Sequence, residues 1–238
     1  TALTAVKLAS LGVLDLDAPI SLHLDFWTDA TDDERSGVTM RHLLSSTSGF
    51  AENSCSLDPQ DTNHGCSQKI FASERGTFVN DDDTNTFLPG DYFNYNEAHW
   101  TLAVTVMLEA TGKATYDEVF REVLADPLNI TADRCYWAFP SENNVDGGAG
   151  LSCDMESYII IIGKYFSGEI VSDELAADME RDHTQNVMNP NVLFYTGGYA
   201  LGMWVRGSGA RDSVGLLGVI PIFDRDKGFW ALMARQAR

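Results

Sequence analysis

The order of the predicted elements is the feature that most limits how this chain can fold. Helical patterns come first, at residues 1–11, 38–46, 97–111, 115–125, 152–166 and from 172 onward. After Pro190 the pattern changes to segments rich in Val, Ile, Phe and Trp, which predict strands at 198–206, 213–223 and 228–234. Residues 226–228 predict the hairpin turn between the last two strands. Helices followed by antiparallel strands indicate an α+β fold.

Capping residues set the predicted boundaries of these helices. Gly12 and Gly112 stand where the first and third helical patterns end. The predicted N-caps are polar residues next to a helical pattern, namely Thr39, Thr115, Ser152 and Ser172. Residues 48–90 are polar and predict loop, including the Asp81-Asp82-Asp83 run, which we interpret as a solvated turn.

Charge and hydropathy exclude two classes of partner. The 238 residues contain 16 Lys and Arg against 35 Asp and Glu, for a net charge of −19. A nucleic-acid-binding surface needs a basic cluster, and none occurs here. No run of about 18 apolar residues is present, so the sequence predicts no membrane span. With 44% hydrophobic residues the chain can bury a substantial core.

The four cysteines predict two disulfides. Cys55, Cys66, Cys135 and Cys153 lie in loop-like sequence without the spacing of a CxxC or Cys/His zinc site. Four cysteines allow three pairings, and their order favours Cys55–Cys66 and Cys135–Cys153, each closing a short loop. Four buried thiols are the alternative. Asn129 begins an Asn-Ile-Thr glycosylation sequon, and together these features predict a secreted glycoprotein.

Short stretches along the chain match the motifs of one family in order and spacing. Residues 14–20 (LDLDAPI) are similar to LxLDxPV, and residues 38–50 contain VTMRHLL and TSGF, similar to ITxRxLLxHTSGL. Residues 89–97 contain PG and FNYNE, similar to PGxxFxYSN, while 148–168 and 198–205 are similar to GGLxST and GYGLGWxV. The chain therefore resembles the penicillin-recognising serine hydrolases, the superfamily of class C β-lactamases, D-Ala-D-Ala peptidases (penicillin-binding proteins) and related esterases.

The resemblance implies acyl transfer. In this family a serine attacks a carbonyl carbon and forms an acyl-enzyme, which water then hydrolyses. The serine and a lysine stand in an S-x-x-K motif at the start of a helix, and a tyrosine relays the proton. Tyr95 matches that tyrosine. A strand with K-T-G or H-x-G supplies a backbone N–H that polarises the carbonyl oxygen, and the backbone N–H of Leu216 matches that role.

Two departures from the motifs narrow the implied function. Glu97 stands where the family has an asparagine that binds the substrate amide, and a carboxylate cannot donate an amide N–H. Ser213 replaces the Lys or His that helps to hold a substrate carboxylate, while Gly215 keeps the register. We expect Glu97, Ser213 and Gly215 to bind substrate. The alternatives are an acid that favours a helix start and a core strand with close-packed glycines.

The S-x-x-K motif is not in the sequence, and motif spacing places its serine about six positions before Thr1. The family also follows its last strand with a helix that packs on the sheet. We therefore expect one β-lactamase-like domain, truncated at both ends, with a helical region at about 1–190 and a sheet at about 191–238. The 238-residue chain alone is expected to be inactive, and its open sheet to need a protein partner.

The predicted function is that of a secreted serine hydrolase. It would act by an acyl-enzyme mechanism on a small ester or amide, would lean towards esters, and would need no cofactor. The alternative is a non-catalytic scaffold or binding protein on the same fold. The histidines show no metal-ligand spacing, so no metal site is predicted. We interpret His99, on a helix, and Ser48, in the TSG turn, as structural.

Overall fold

The computed structural model describes residues 1–50, 54–73, 88–187, 197–215 and 218–234. Its α-helices lie before residue 181 and are α1 Ala2–Ser10, α2 Met40–Leu44, α3 Asn63–Ala72, α4 Glu97–Thr111, α5 Tyr116–Phe120, α6 Met155–Phe166 and α7 Asp173–Glu180. α5 continues into a π-helical turn at Arg121–Ala125. Short 3₁₀ turns lie between the α-helices, at Ile20–Leu22, Glu34–Gly37, Ser54–Leu57 and Asp126–Leu128.

The strands form two antiparallel sheets. β1 Cys135–Trp137 pairs with β2 Leu151–Cys153 within the helical region. The second sheet follows the last helix and contains, in both chain and spatial order, β3 Trp204–Val205, β4 Arg211–Asp212, β5 Val219–Asp224 and β6 Phe229–Ala234. The α+β prediction, with helices first and an antiparallel sheet last, is confirmed; the small β1–β2 sheet was not predicted.

α4 is the central helix of the helical region. Every residue from Ala98 to Met107 is buried, and α2, α3 and α5 pack against this helix. α4 begins after Asn96, whose side chain accepts a hydrogen bond from the backbone N–H of Ala98 at 2.9 Å. It ends at Gly112, which has a left-handed φ of +65°. Both ends lie where the sequence predicts them.

All but one of the four predicted N-caps are confirmed. Thr39 and Thr115 form capping boxes, and Ser172 caps α7. Ser152 is not a cap, because it lies in β2; the side chain of Asp154 instead accepts from the backbone N–H of Ser157 at 2.7 Å and begins α6. The extended conformation at 151–153 comes from a long-range pairing with β1, which a local cap signal does not contain.

The predicted loop at 48–90 is wrong for part of its length, because α3 lies within it. Thr62 caps this helix. Two of the residues on its buried side, Asn63 and Ser67, are polar, so the apolar period that predicts a helix is weak here. The Asp81-Asp82-Asp83 run lies outside the described residues.

Both predicted disulfides are present. Cys55 is joined to Cys66, which ties the 3₁₀ turn at Ser54–Leu57 to α3. Cys135 is joined to Cys153, directly opposite it in the β1–β2 register. No described helix has the length and apolar content needed to cross a bilayer.

The strand predicted at 213–223 is confirmed for 219–223, which lie in β5, and wrong as a single strand, because the chain turns back before Val219. The Ser213 N–H donates to the Pro221 carbonyl at 3.3 Å, and the Gly215 N–H donates to the Val219 carbonyl at 2.9 Å. Residues 213–215 therefore extend β4 antiparallel to β5. Gly218, with a φ of +86°, donates back to the Gly215 carbonyl at 2.9 Å, and this left-handed residue allows the turn.

The two other predicted strands of this sheet differ in outcome. The segment 198–206 contains only the short β3, with Tyr199 bridged to Trp204. The segment 228–234 contains β6, and Gly228 forms the predicted turn with a φ of +68°.

α6 covers one face of the four-stranded sheet. A Cβ at Gly163 would lie 3.2 Å from the Trp230 ring, so this glycine lets α6 approach β6 closely. On the opposite face Phe229 and Met233 are 45% and 54% exposed. A protein partner for this face stays a prediction.

Candidate active site

A pocket of about 90 Å³ lies where the start of α1, the segment before α4 and the C-terminal sheet meet. None of the described side chains that line it carries a charge. The lining residues are Thr1, Ala2, Tyr95, Trp100, Gly147, Gly148, Tyr199, Gly202, Trp204, Ser213 and Val214.

Tyr95 reaches this pocket from the extended segment that leads into α4. The preceding residue is fixed by a hydrogen bond from the Asn94 N–H to the Ser46 carbonyl at 2.9 Å. The Tyr95 side chain is 45% exposed, and its ring centroid lies 5.9 Å from that of Tyr199 and 5.5 Å from that of Trp204. Burial, together with the neighbouring Tyr95, raises the pKa of Tyr199 well above its ordinary value, so Tyr199 stays a neutral phenol.

Glycines allow the chain segments around Trp100 to meet. A Cβ at Gly148 would lie 2.9 Å from Trp100 Cδ1. A Cβ at Gly202 would lie 2.7 Å from Ala2 Cβ and 3.4 Å from the Trp100 ring. The Gly148 loop is held by Asp146, whose buried carboxylate accepts from the Gly148 N–H at 2.8 Å. Loss of hydration raises the pKa of Asp146.

The sheet contributes Ser213 and Val214, which lie in the extension of β4 at residues 213–215. Ser213 is exposed, whereas the preceding Asp212 is buried and paired with Arg206. The backbone N–H of Gly215 is already used in the turn to β5. Leu216, the predicted backbone donor, lies outside the described residues.

The structure thus brings some of the predicted site residues together and separates others. Tyr95 and Ser213 line the same pocket. Glu97 is the first residue of α4 and half-buried, and neither it nor Gly215 is among the lining residues. The chemical roles of these residues stay predictions. Asn129 is exposed at the end of the 3₁₀ turn Asp126–Leu128.

Nine of the eleven lining residues were not singled out as site residues from the sequence, although for several of them the signal was present. Tyr199, Gly202 and Trp204 all fall in the stretch that is similar to GYGLGWxV, and Trp100 stands where the family motif has an aromatic residue. The GYGLGWxV-like stretch, which we used only as evidence for the family, therefore also contains pocket residues.

Two other features of the described residues offer less. A wide depression of about 570 Å³ lies among Lys113, Glu118, Arg121, Glu122, Asp126 and Pro127. Its cations are engaged in ion pairs, Lys113 with Glu122 and Arg121 with Asp126. A group with metal-ligand spacing, Cys55, Asp61 and Cys66, has both sulfurs joined in a disulfide.

Comparison with known proteins identifies the class of this chain. Residues 1–229 match the family model described as Beta-lactamase. The chain belongs to the β-lactamase family, within the penicillin-binding and serine hydrolase superfamily. No curated protein matches it.

Solved structures agree on the fold. A putative β-lactamase from Bacteroides dorei superposes with a TM-score of 0.77 at 20% identity, over 100% of this chain and 75% of that one. An octameric penicillin-binding protein homologue from Pyrococcus abyssi gives 0.75 at 19% identity, over 99% and 59%. EstCE1, a hydrolase with promiscuous acyltransferase activity, gives 0.74 at 16% identity, over 98% and 76%. At identities this low the structural similarity establishes the fold alone, and the activity has to be argued from the residues of the site.

Proposed function

We propose that this protein is a serine hydrolase that cleaves small esters through an acyl-enzyme, with Tyr95 as the proton relay. The observation that carries the proposal is the composition of the pocket. Tyr95 from the helical region, Ser213 from the sheet and Thr1 at the start of α1 line one cavity. In the family, the nucleophile, the relay and the oxyanion-binding strand converge on one carbonyl in the same way.

The chemistry assigns a separate task to each side of the pocket. A serine in an S-x-x-K motif, which the family spacing places about six positions before the residue that matches Thr1, would form the acyl-enzyme. Tyr95 would pass the serine's proton to the leaving group, and its half-exposed phenol is accessible for that transfer. The hairpin after Ser213 would polarise the substrate carbonyl through a backbone N–H, which does not depend on the side chain.

Esters are favoured over β-lactams and peptides because the groups that would bind those substrates are replaced. Among the described lining residues there is no Lys, Arg or His to hold a carboxylate. Ser213 occupies the position that would carry such a group, and Glu97 occupies that of the amide-binding asparagine. A net charge of −19 further disfavours anionic substrates. EstCE1 is a hydrolase of similar fold, as is a D-stereospecific amidohydrolase from Streptomyces.

The test compares the 238-residue chain with the same chain preceded by its own upstream sequence. If that sequence contains S-x-x-K, we expect the longer protein to hydrolyse p-nitrophenyl butyrate and the shorter one to be inactive. Tyr95→Phe in the longer protein should lower kcat by about 10²–10⁴-fold. Tyr136→Phe is the matched control, because Tyr136 is 41% exposed but lies on β1 and does not line the pocket.

Each result separates the two functions considered. Turnover by the 238-residue chain at the rate of the longer protein would place the nucleophile within it and contradict the mechanism. A longer protein without S-x-x-K and without turnover would favour the non-catalytic scaffold. Equal losses in Tyr95→Phe and Tyr136→Phe would remove Tyr95 from the chemistry.

Secretion is a second, independent part of the proposal. The two disulfides and the exposed Asn129 sequon support an oxidising compartment. Expression in a glycosylating host should give a glycan at Asn129, which peptide-N-glycosidase removes and Asn129→Gln abolishes.

A further inference from the structure

A fully buried histidine lies beneath Tyr95. His99 is in the first turns of α4 and has no exposed surface. Its Nδ1 lies 2.8 Å from the hydroxyl of Ser48, which is also fully buried, and its Nε2 lies 2.6 Å from the backbone carbonyl oxygen of Asn94. That carbonyl belongs to the peptide bond that joins Asn94 to Tyr95. The histidine therefore connects the 46–50 turn to the backbone at Tyr95.

The partners determine which form of the imidazole is present. A carbonyl can only accept, so Nε2 carries the hydrogen and donates to Asn94. Nδ1 is then unprotonated and accepts a hydrogen bond from the Ser48 hydroxyl. Burial lowers the pKa of His99 to about 4, which keeps the ring in this neutral form at ordinary pH.

Asn96 holds the other side of Tyr95. Its side-chain amide donates to the Phe50 carbonyl at 2.9 Å and to the Asn94 carbonyl at 3.1 Å, while its oxygen accepts from the Ala98 N–H. The Asn94 carbonyl thus receives two donors, one from His99 and one from Asn96. Tyr95 is the half-exposed residue between two residues whose polar groups are buried and bonded.

We propose that His99 is a positioning residue that fixes the Asn94–Tyr95 peptide and through it the direction in which the Tyr95 phenol enters the pocket. The proposal rests on the proposed function for its catalytic consequence, and on the hydrogen bonds alone for its structural part. A leucine at this position would fill a similar volume but would remove one of the two donors from the Asn94 carbonyl. A hydrogen-bond donor is therefore needed at position 99 for the Asn94 carbonyl to keep both of its hydrogen bonds.

The first test compares two replacements that differ in their donor. Glutamine can place its amide nitrogen near the position of imidazole Nε2 and donate to Asn94, whereas leucine cannot. The probe is 3-fluorotyrosine at position 95, followed by ¹⁹F NMR in the 238-residue protein, which needs no activity. We expect His99→Leu to shift and broaden the ¹⁹F resonance and His99→Gln to restore it.

A second pair guards against loss of folding in His99→Leu. Ser48→Ala removes the partner that orients the imidazole. Ser67→Ala is the matched control. The buried hydroxyl of Ser67, in α3, is hydrogen-bonded at 2.7 Å to Thr105, which lies on α4 like His99 but farther along the helix from Tyr95. We expect the ¹⁹F resonance to move in Ser48→Ala and to stay in place in Ser67→Ala, at comparable losses of stability.

Kinetics complete the test in a protein that carries the nucleophile. Misplacement of a proton relay by about 1 Å lowers turnover more than binding, so His99→Leu should lower kcat about 10–100-fold and leave KM within about twofold. His99→Gln should recover most of kcat. If the resonance is unchanged in both His99→Leu and Ser48→Ala, or changes equally in Ser67→Ala, the positioning role is wrong. If the resonance shifts as expected but a longer protein that carries the S-x-x-K serine shows no turnover, the proposed function is wrong and the structural part of the inference stands.

Discussion

The two walls of the pocket are held in different ways. The Tyr95 wall, residues 93–100 with the 46–50 turn, stands on the central helix and on a buried hydrogen-bond network. The Ser213 wall, residues 204–215, stands on β3 and β4, which have two residues each. Both disulfides lie in the helical region and none reaches the four-stranded sheet. The fold thus holds Tyr95, the proposed proton relay, by more buried hydrogen bonds than it does the wall proposed to meet the substrate.

The largest effect should come from removing a buried ring of the Tyr95 wall. Phe93 is fully buried, with its ring centroid 5.2 Å from that of Tyr199 and 5.8 Å from that of Trp204. Phe93→Ala should lower the free energy of unfolding by about 3–5 kcal/mol, the range for a buried phenylalanine. Phe229→Ala, at a 45% exposed site on β6, should cost much less, about 1 kcal/mol or below. Urea unfolding decides, and equal costs would contradict the comparison.

The disulfides should give the next largest effect. Each bridge restricts the unfolded chain, over separations of 11 and 18 residues. Replacing either pair by alanines should lower the free energy of unfolding by about 2–4 kcal/mol, slightly more for Cys135–Cys153 because it closes the longer loop. Urea midpoints of the two double variants measure this, and non-reducing peptide mapping of the parent protein must first find the same pairs.

Local signals in the sequence predicted the Tyr95 wall better than the Ser213 wall. Gly112 ends α4 as predicted, because a C-cap acts on its own helix, whatever surrounds it. The turn between β4 and β5 was missed because glycines such as Gly215 fit both a close-packed strand and a turn. Only pairing with Val219, across the hairpin, selects the turn.

Long-range contacts also explain what the sequence hid in the site itself. His99 was interpreted as structural, which its burial agrees with, but its place under Tyr95 depends on a bond to Ser48, 51 residues away along the chain. Ala2, Trp100 and Gly202 meet at the pocket although they lie far apart along the chain. No local pattern contains such a meeting.

Acid should weaken the Tyr95 wall through His99. Burial lowers the pKa of His99 from 6.5 to about 4, and its hydrogen-bond partners among the described residues, Ser48, Asn94 and Asn96, are neutral. Above pH 6.5 the histidine is neutral in both states; as the pH falls from 6.5 towards 4, the unfolded chain binds a proton that the folded chain does not. The free energy of unfolding should therefore fall across that window, by a total of about 3 kcal/mol.

The difference between parent and variant isolates this contribution. In His99→Gln no group titrates at this position, so its stability should change less over the same pH range. Urea unfolding of both proteins from pH 7 to 4 measures the difference. Parallel curves would mean that the imidazole takes up its proton at the same pH in the folded and unfolded chains, and that burial does not lower its pKa.

The smallest expected effect concerns the charge of the substrate that binds at the Ser213 wall. Ser213→Lys adds a cation to the edge of the pocket, and an exposed ion pair contributes about 0.2–1 kcal/mol, which should lower KM for a carboxylate-bearing ester up to about fivefold. The neutral methyl ester of the same substrate should be unaffected.

Ser208→Lys is the matched control, since Ser208 is exposed between β3 and β4 and the change in net charge is the same. A gain limited to Ser213→Lys shows a local contact with the substrate. An equal gain in both variants, lost at high salt, shows instead that the net charge of −19 acts at a distance and that Ser213 does not choose the substrate.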